Sequence, residues 1–147
     1  MEDLPKVKEF MDKTFITLRP DMDVYKAIDI LLDKGVTSAA VTEEDNKIVG
    51  ILSEKDVLIL LTKDHYHQLP SGRVFDFMTK EVVTTLPDTD IFTVAHMCFS
   101  HFFRRLIVAD KDGRMVGQIT RRDLLRVIKQ FKKEETSKKS KKVAPIL

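Results

Sequence analysis

The sequence predicts an α+β protein in which two copies of a β-α-β-β-α unit share one body. Three observations predict it. The chain repeats itself: shifted by 67 positions, residues 7–61 fall on residues 74–128 without a gap, and 14 of the 55 aligned positions are identical. Both copies run through the same order of apolar periodicities and turn signals. Neither copy is long enough to bury much core alone, so the two must pack together.

Each element has its own signal. A short apolar stretch (Phe15-Ile16-Thr17, then Val82-Val83-Thr84) leads into a Pro-Asp turn, Pro20-Asp21 or Pro87-Asp88. The helix that follows has Asp23 as N-cap in copy one, with Val24, Ala27, Ile28, Leu31 and Leu32 at helical spacing. In copy two Asp90 caps Ile91, Val94, Ala95, Cys98 and Phe99. A strand–turn–strand comes next. Ser38–Thr42 and Lys47–Leu52 flank Glu43–Asn46, while Leu106–Ala109 and Met115–Ile119 flank Asp110–Arg114. Asp45-Asn46 and Asp112-Gly113 supply the hairpin chemistry. Ser53 and Thr120 are favoured N-caps and open a closing helix in each copy. The units span 4–61 and 73–131. A linker over 62–72 carries the Pro70-Ser71-Gly72 turn signal, and 132–147 reads as a basic, disordered tail.

Composition narrows the function classes. The chain has 147 residues, 43% hydrophobic and 33% charged, which is normal for a globular protein. Its longest aliphatic run, Val57 to Leu61, falls far short of the roughly 20 residues a bilayer requires. Met1–Pro5 has neither the basic nor the apolar region of a signal peptide. The lone Cys98 forms no intrachain disulfide, so a reducing cytoplasm is the expected location. Residues 1–72 carry a net charge of −5 and residues 73–147 one of +7, of which 129–147 supply +5. The remaining 73–128 is therefore only weakly basic, not a composition that by itself marks a nucleic-acid binder.

At the last strand–helix junction both copies carry Gly-x-x-[Ser/Thr]-x-x-Asp: Gly50-Ile51-Leu52-Ser53-Glu54-Lys55-Asp56, and Gly117-Gln118-Ile119-Thr120-Arg121-Arg122-Asp123. This motif inside a tandem unit of this order resembles a pair of CBS domains (the cystathionine β-synthase domain, paired as a Bateman module), here standing alone. The resemblance covers about residues 4–131. One departure is that Ala40 and Ile107 stand where the family usually has a proline in the second strand. The resemblance implies two sheets packed about a pseudo-twofold axis, with two clefts that in many members bind adenine nucleotides. The junction suits that chemistry: a helix N-terminus offers free N–H groups to phosphate, and the Asp can accept from both ribose hydroxyls.

Carried over residue by residue, the first cleft would use Ser53, Lys55 and Asp56, with Val83, Phe103, Arg104 and Arg105 from copy two. The second would use Thr120, Arg121, Arg122 and Asp123, with Ile16, Val36, Thr37 and Ser38 from copy one. The clefts are not equivalent: Glu54 opposes phosphate where Arg121 favours it, and Thr37-Ser38 stand where copy two has Arg104-Arg105. The same Ser/Thr-x-x-Asp spacing also describes a plain capping box.

No catalytic spacing is present: no Ser/His/Asp or Cys/His arrangement and no Gly-rich phosphate loop. His65 and His67 fall in the linker, and His96 and His101 do not share a helix face, so no metal site is expected. The expected function is a non-enzymatic regulatory module. It would sense AMP, ADP or ATP, with S-adenosylmethionine and NAD ranked below, and signal to an unidentified partner protein by conformational change. Homodimerisation through the apolar helices, with Phe99, Phe102 and Phe103, is expected. The alternative is a nucleic-acid-binding protein that uses Arg104/Arg105, Arg121/Arg122 and the Lys-rich tail, although the recognised reading motifs are missing.

Overall fold

The computed structural model describes residues 4–62 and 69–142. Residues 63–68, with His65 and His67, and the last five residues of the tail lie outside the described residues. Copy one contains β1 (Thr17–Leu18), α1 (Val24–Lys34), β2 (Ser38–Thr42), β3 (Ile48–Ser53) and α2 (Glu54–Val57). Copy two contains α3 (Val74–Phe77), β4 (Thr84–Thr85), α4 (Ile91–His101), β5 (Arg105–Ala109), β6 (Met115–Thr120) and α5 (Arg121–Lys142). Each copy builds one three-stranded sheet, ordered β1-β2-β3 or β4-β5-β6. The first pair is parallel and the second antiparallel in both. The α+β class is as the sequence predicts.

The caps are those the residue types favour. Asp23 accepts from the Lys26 N–H at 3.3 Å, and Asp90 accepts from the Thr93 N–H at 2.9 Å and its hydroxyl at 2.6 Å. Three expectations need correction. The first strands start later than expected, at Thr17 and Thr84, because only two residues of each pair with the neighbouring strand. The closing helix of copy one is a single α-turn that continues as a 3-10 turn over Leu58–Leu61. The segment 132–142, expected to be disordered, continues α5 as helix. There Glu135 pairs with Lys132 and Lys139 at 3.5 and 3.2 Å, and Gln130 donates to Glu134 at 3.1 Å. Such i,i+3 and i,i+4 pairs between good helix formers favour continuation.

The repeat in sequence is not the packing unit. The segment around Val7 leaves copy one and docks on copy two: Val7 N–H donates to Thr89 O, Ile91 N–H to Pro5 O, and Asp12 and Gln118 exchange a pair of backbone bonds at 2.8 and 3.0 Å. The equivalent segment of copy two docks on copy one: Val74 N–H donates to Met22 O, Val24 N–H to Gly72 O, and Thr79 and Ile51 exchange bonds at 2.9 Å. Val7 accordingly sits in the core with Ile91, Leu106 and Ile119, and Val74 and Met78 in the core with Leu18, Leu31 and Leu52. The two copies thus exchange their leading segments, and burying both valines completely is one reason that the repeat begins with an identical pair.

A third cluster joins the sheets. Ala40, Ile107 and Met115 are its buried residues, with Phe15, Val82, Ile48 and Ile51 packed against it. Most of these are partners under the 67-residue shift: Ala40 with Ile107, Ile48 with Met115, Phe15 with Val82. Lys47 and Arg114, also partners, pair directly as a β-bridge. An interface in which residues meet their own counterparts is the mark of a pseudo-twofold axis.

Candidate functional site

The strand ends position the site. Ser38 lies opposite Ser53, and Arg105 lies opposite Thr120, in the two antiparallel registers. The backbone N–H of Glu54 donates to Thr37 O at 3.0 Å, and that of Arg121 donates to Arg104 O at 3.2 Å. Across the pseudo-twofold a cleft of about 550 Å³ opens. It is lined by Thr37, Ser38, Ser53, Glu54 and Lys55 from copy one, and by Phe102, Phe103, Arg104 and Arg105 from copy two, with Ile51 and Leu58 as further apolar wall. Ser53, Lys55, Phe103, Arg104 and Arg105 of the first predicted set come together here, while Asp56 of that set is not among the lining residues. Thr37 and Ser38 border this same cleft and not a separate one with Thr120, because the register sets Ser38 beside Ser53.

The rest of the second set is dispersed. Ile16 and Val36 pack into the core of copy one. Arg121 turns its guanidinium onto the backbone: Nη2 donates to Phe102 O at 2.8 Å and Nε to Phe103 O at 2.9 Å. Arg122 is exposed on α5. Val83 of the first set is half-exposed and outside the cleft lining.

Both Asp side chains close capping boxes. Asp56 Oδ2 accepts from the Ser53 N–H at 2.9 Å, and the Asp56 N–H donates to Ser53 Oγ at 3.3 Å. Asp123 Oδ2 accepts from the Thr120 N–H at 2.9 Å. A carboxylate offers about four acceptor positions, so each retains capacity for a further donor. The exchanged segments then make the two acids different. Thr79 Oγ1 donates to Asp56 Oδ1 at 3.1 Å. The counterpart of Thr79 is Asp12, which cannot donate, and there Arg105 supplies the compensating charge. Burial pushes the Arg105 guanidinium below its usual pKa, while Asp123 and Asp12 pull it back up. Asp123 Oδ1 also accepts from Arg126 Nη1 at 2.9 Å. The Nε of Arg105 is buried without a hydrogen-bond partner.

The cleft lining is basic on balance, with an apolar wall. Lys55 and Arg104 outweigh the carboxylate of Glu54, and Arg105 adds a third cation whose charge is shared with Asp123 and Asp12. The dipole of α2 adds little, because a single turn aligns too few peptides to build up charge at its end. Basic side chains, not a helix terminus, carry the attraction. Sequence reasoning missed Thr79, Asp12 and Phe102: all lie outside the repeated motif, and the first two reach the site only through the segment exchange. Among the described residues no group of three His, Cys, Asp or Glu is placed to hold a metal ion, and none of the described helices is long and apolar enough to cross a membrane.

The comparisons with known proteins agree with this architecture. The family model for the CBS domain matches residues 7–63 and again 74–130. The uncharacterized protein MJ1225 of Methanocaldococcus jannaschii is 31% identical over 123 residues, which is 83% of this chain and 42% of that protein. Inosine-5'-monophosphate dehydrogenase of Aquifex aeolicus is 30% identical over 129 residues, 85% of this chain and 25% of the enzyme. The chain thus spans less than half of either relative. Among solved structures, CBSX2 in complex with AMP superposes with a TM-score of 0.76 at 28% identity, covering 87% of this chain and 98% of that one. The cytosolic domain of the Mg2+ channel MgtE in complex with ATP gives 0.70 at 27%, covering 86% and 49%. With both repeats matched and the exchanged, twofold-related sheets in place, the chain belongs to the CBS-domain family as a tandem pair.

Proposed function

We propose that this CBS pair is a regulatory module that binds an adenosine-containing nucleotide, AMP, ADP or ATP, and signals its occupancy to a partner protein. The observation that carries the reading is the cleft across the pseudo-twofold, where Ser53 and Lys55 face Arg104 and Arg105. That relatives at 28% and 27% identity have been solved with AMP and with ATP supports it. Basic side chains would take the phosphates, and the spare acceptor capacity of Asp56 would take the ribose hydroxyls. Ligand would hold the copies in one relative arrangement and shift the population a partner recognises. Polynucleotide binding is the less favoured reading: Arg121 is engaged with backbone carbonyls, and the two relatives above were solved with mononucleotides. The test is a thermal-shift and calorimetry series with AMP, ADP, ATP, S-adenosylmethionine and NAD. Nucleotide at 100 times its dissociation constant should add about 2.7 kcal/mol of stability. The absence of any shift or heat at millimolar concentration sinks the reading.

The module is further expected to be a homodimer. Leu32 of α1, Phe99 of α4, and Leu125 and Ile128 of α5 are all exposed large apolar side chains, and a second chain would cover them most simply. Light scattering should give a dimer both for the full chain and for one ending at Phe131, which retains all four residues. A monomeric full chain at micromolar concentration contradicts this, and a dimer lost on shortening moves the interface onto 132–147.

A further inference from the structure

One strained position separates the two copies. Helix α1 ends at Gly35, whose left-handed φ of 64° costs glycine nothing. Its counterpart at the end of α4 is Phe102, with φ 57° and ψ 29°. There the Cβ of any other residue crowds the following carbonyl, and a bulky residue is a true outlier. Arg121 braces this turn through the carbonyls of Phe102 and Phe103. The fold gains no burial in return, since Phe102 is 80% exposed. Its neighbour Phe103 behaves differently, stacking on His101 at 5.3 Å between ring centroids and packing against the copy-two core. Yet Phe102 borders the 550 Å³ cleft beside Arg104 and Arg105.

We propose that Phe102 is the aromatic wall of this cleft and that its ring stacks on the purine base of the bound nucleotide. The inference rests on the nucleotide reading of the cleft. The cations there account for phosphate, but a purine face is apolar and polarisable and needs an aromatic or aliphatic partner. Phe102 offers an unburied ring at the rim. Local strain of this kind persists where the surroundings enforce it and the site uses it, and covering the ring with a base would supply that use.

The chain contains no tryptophan, so Phe102→Trp introduces a single tryptophan at the rim, excited selectively over the two tyrosines. Its emission should be quenched as AMP is titrated, with affinity at least that of the wild type. Phe102→Gly should raise the melting temperature of the ligand-free protein by about 2–4 °C, because the strain is removed. Phe102→Ala keeps the strained backbone and should give no rise. Both small variants should weaken AMP binding about tenfold by calorimetry. A merely structural residue would not separate stability from affinity in this way. Unchanged AMP affinity in Phe102→Ala, or calorimetric binding without quenching in Phe102→Trp, overturns the inference and leaves the nucleotide reading standing. A dimer that dissociates in Phe102→Gly while AMP affinity holds assigns the ring to a second chain and also overturns it. A wild-type protein that binds none of AMP, ADP and ATP overturns both.

Discussion

Gly117→Val is expected to cost about 3 kcal/mol of stability, near the top of what overpacking usually costs. Gly117 lies within β6 and has no unusual backbone angle, so conformational freedom is not the reason for a glycine. The reason is the exchanged segment. A Cβ at Gly117 would come within 2.5 Å of Met11 Sδ, 2.9 Å of Met11 Cγ and 3.1 Å of Asp12 O. Met11 could swing away, but the Asp12 carbonyl is tied to Gln118 by a hydrogen bond of 3.0 Å and cannot. Gly50 has the same relation to Met78 and Thr79, with 2.6 Å to Met78 Sδ and 3.0 Å to Thr79 O. Gly50→Val should therefore cost a similar amount. Urea denaturation of the single variants, of Met11→Ala and of the Gly117→Val/Met11→Ala pair would test the mechanism. The pair should cost less than the sum of its parts, since removing the Met11 side chain clears the two shortest contacts and leaves only the Asp12 carbonyl at 3.1 Å. Strict additivity would mean that Met11 does not press on Gly117 and that the exchange is misassigned. Gly113→Ala is a useful contrast. A Cβ there meets little but Lys47 Cε at 3.8 Å, and only the positive φ of 82° opposes it, so about 1 kcal/mol is expected.

The same glycines show where sequence reasoning succeeds and where it stops. Gly50 and Gly117 are visible as an identical pair in the repeat, and they mark the motif correctly. Their cause is not visible, because the methionines that crowd them come from the opposite copy. Periodicity reports which residues face a core but not whose core it is. Val7 and Val74 are apolar partners in either arrangement, and only their hydrogen bonds to Thr89 O and Met22 O reveal the exchange. The helices α1 and α4 were legible from Asp caps and apolar spacing, since both signals are local. The closing helices were not: Ser53 and Thr120 start them alike, yet one ends after a turn and the other runs to Lys142. The grouping of Ser53 and Lys55 with Phe103, Arg104 and Arg105 was carried by the family resemblance. The dispersal of the second set followed from details outside any motif. Arg121 is held on the Phe102 and Phe103 carbonyls, and Ser38 beside Ser53 by strand register.

Arg105 and Asp56 should separate the two ends of a bound nucleotide. Arg105 lines the cleft as a half-buried cation. A hydrogen bond to a charged group is worth about 1.5–3 kcal/mol, which corresponds to roughly 10- to 100-fold in affinity. Arg105→Ala should lose that much for AMP and leave adenosine unchanged, because adenosine has no phosphate. Arg105→Lys keeps the charge but not the planar fork and should fall between. Added salt should erode the AMP affinity of the wild type more steeply than that of Arg105→Ala. Asp56→Ala removes the proposed ribose acceptor and should weaken AMP and adenosine by the same factor, again about 10- to 100-fold. It also removes the capping contact to the Ser53 N–H, at a cost of about 1 kcal/mol in stability, so binding must be measured well below the melting temperature. Asp56→Asn keeps an acceptor oxygen without the charge and should lose less. Calorimetry of the variants against AMP and adenosine decides the matter. If Arg105→Ala binds AMP as well as the wild type, the phosphate does not reach the pseudo-twofold. If Asp56→Ala spares adenosine, the ribose is held elsewhere, and the cleft would then have to bind its nucleotide in the reverse orientation.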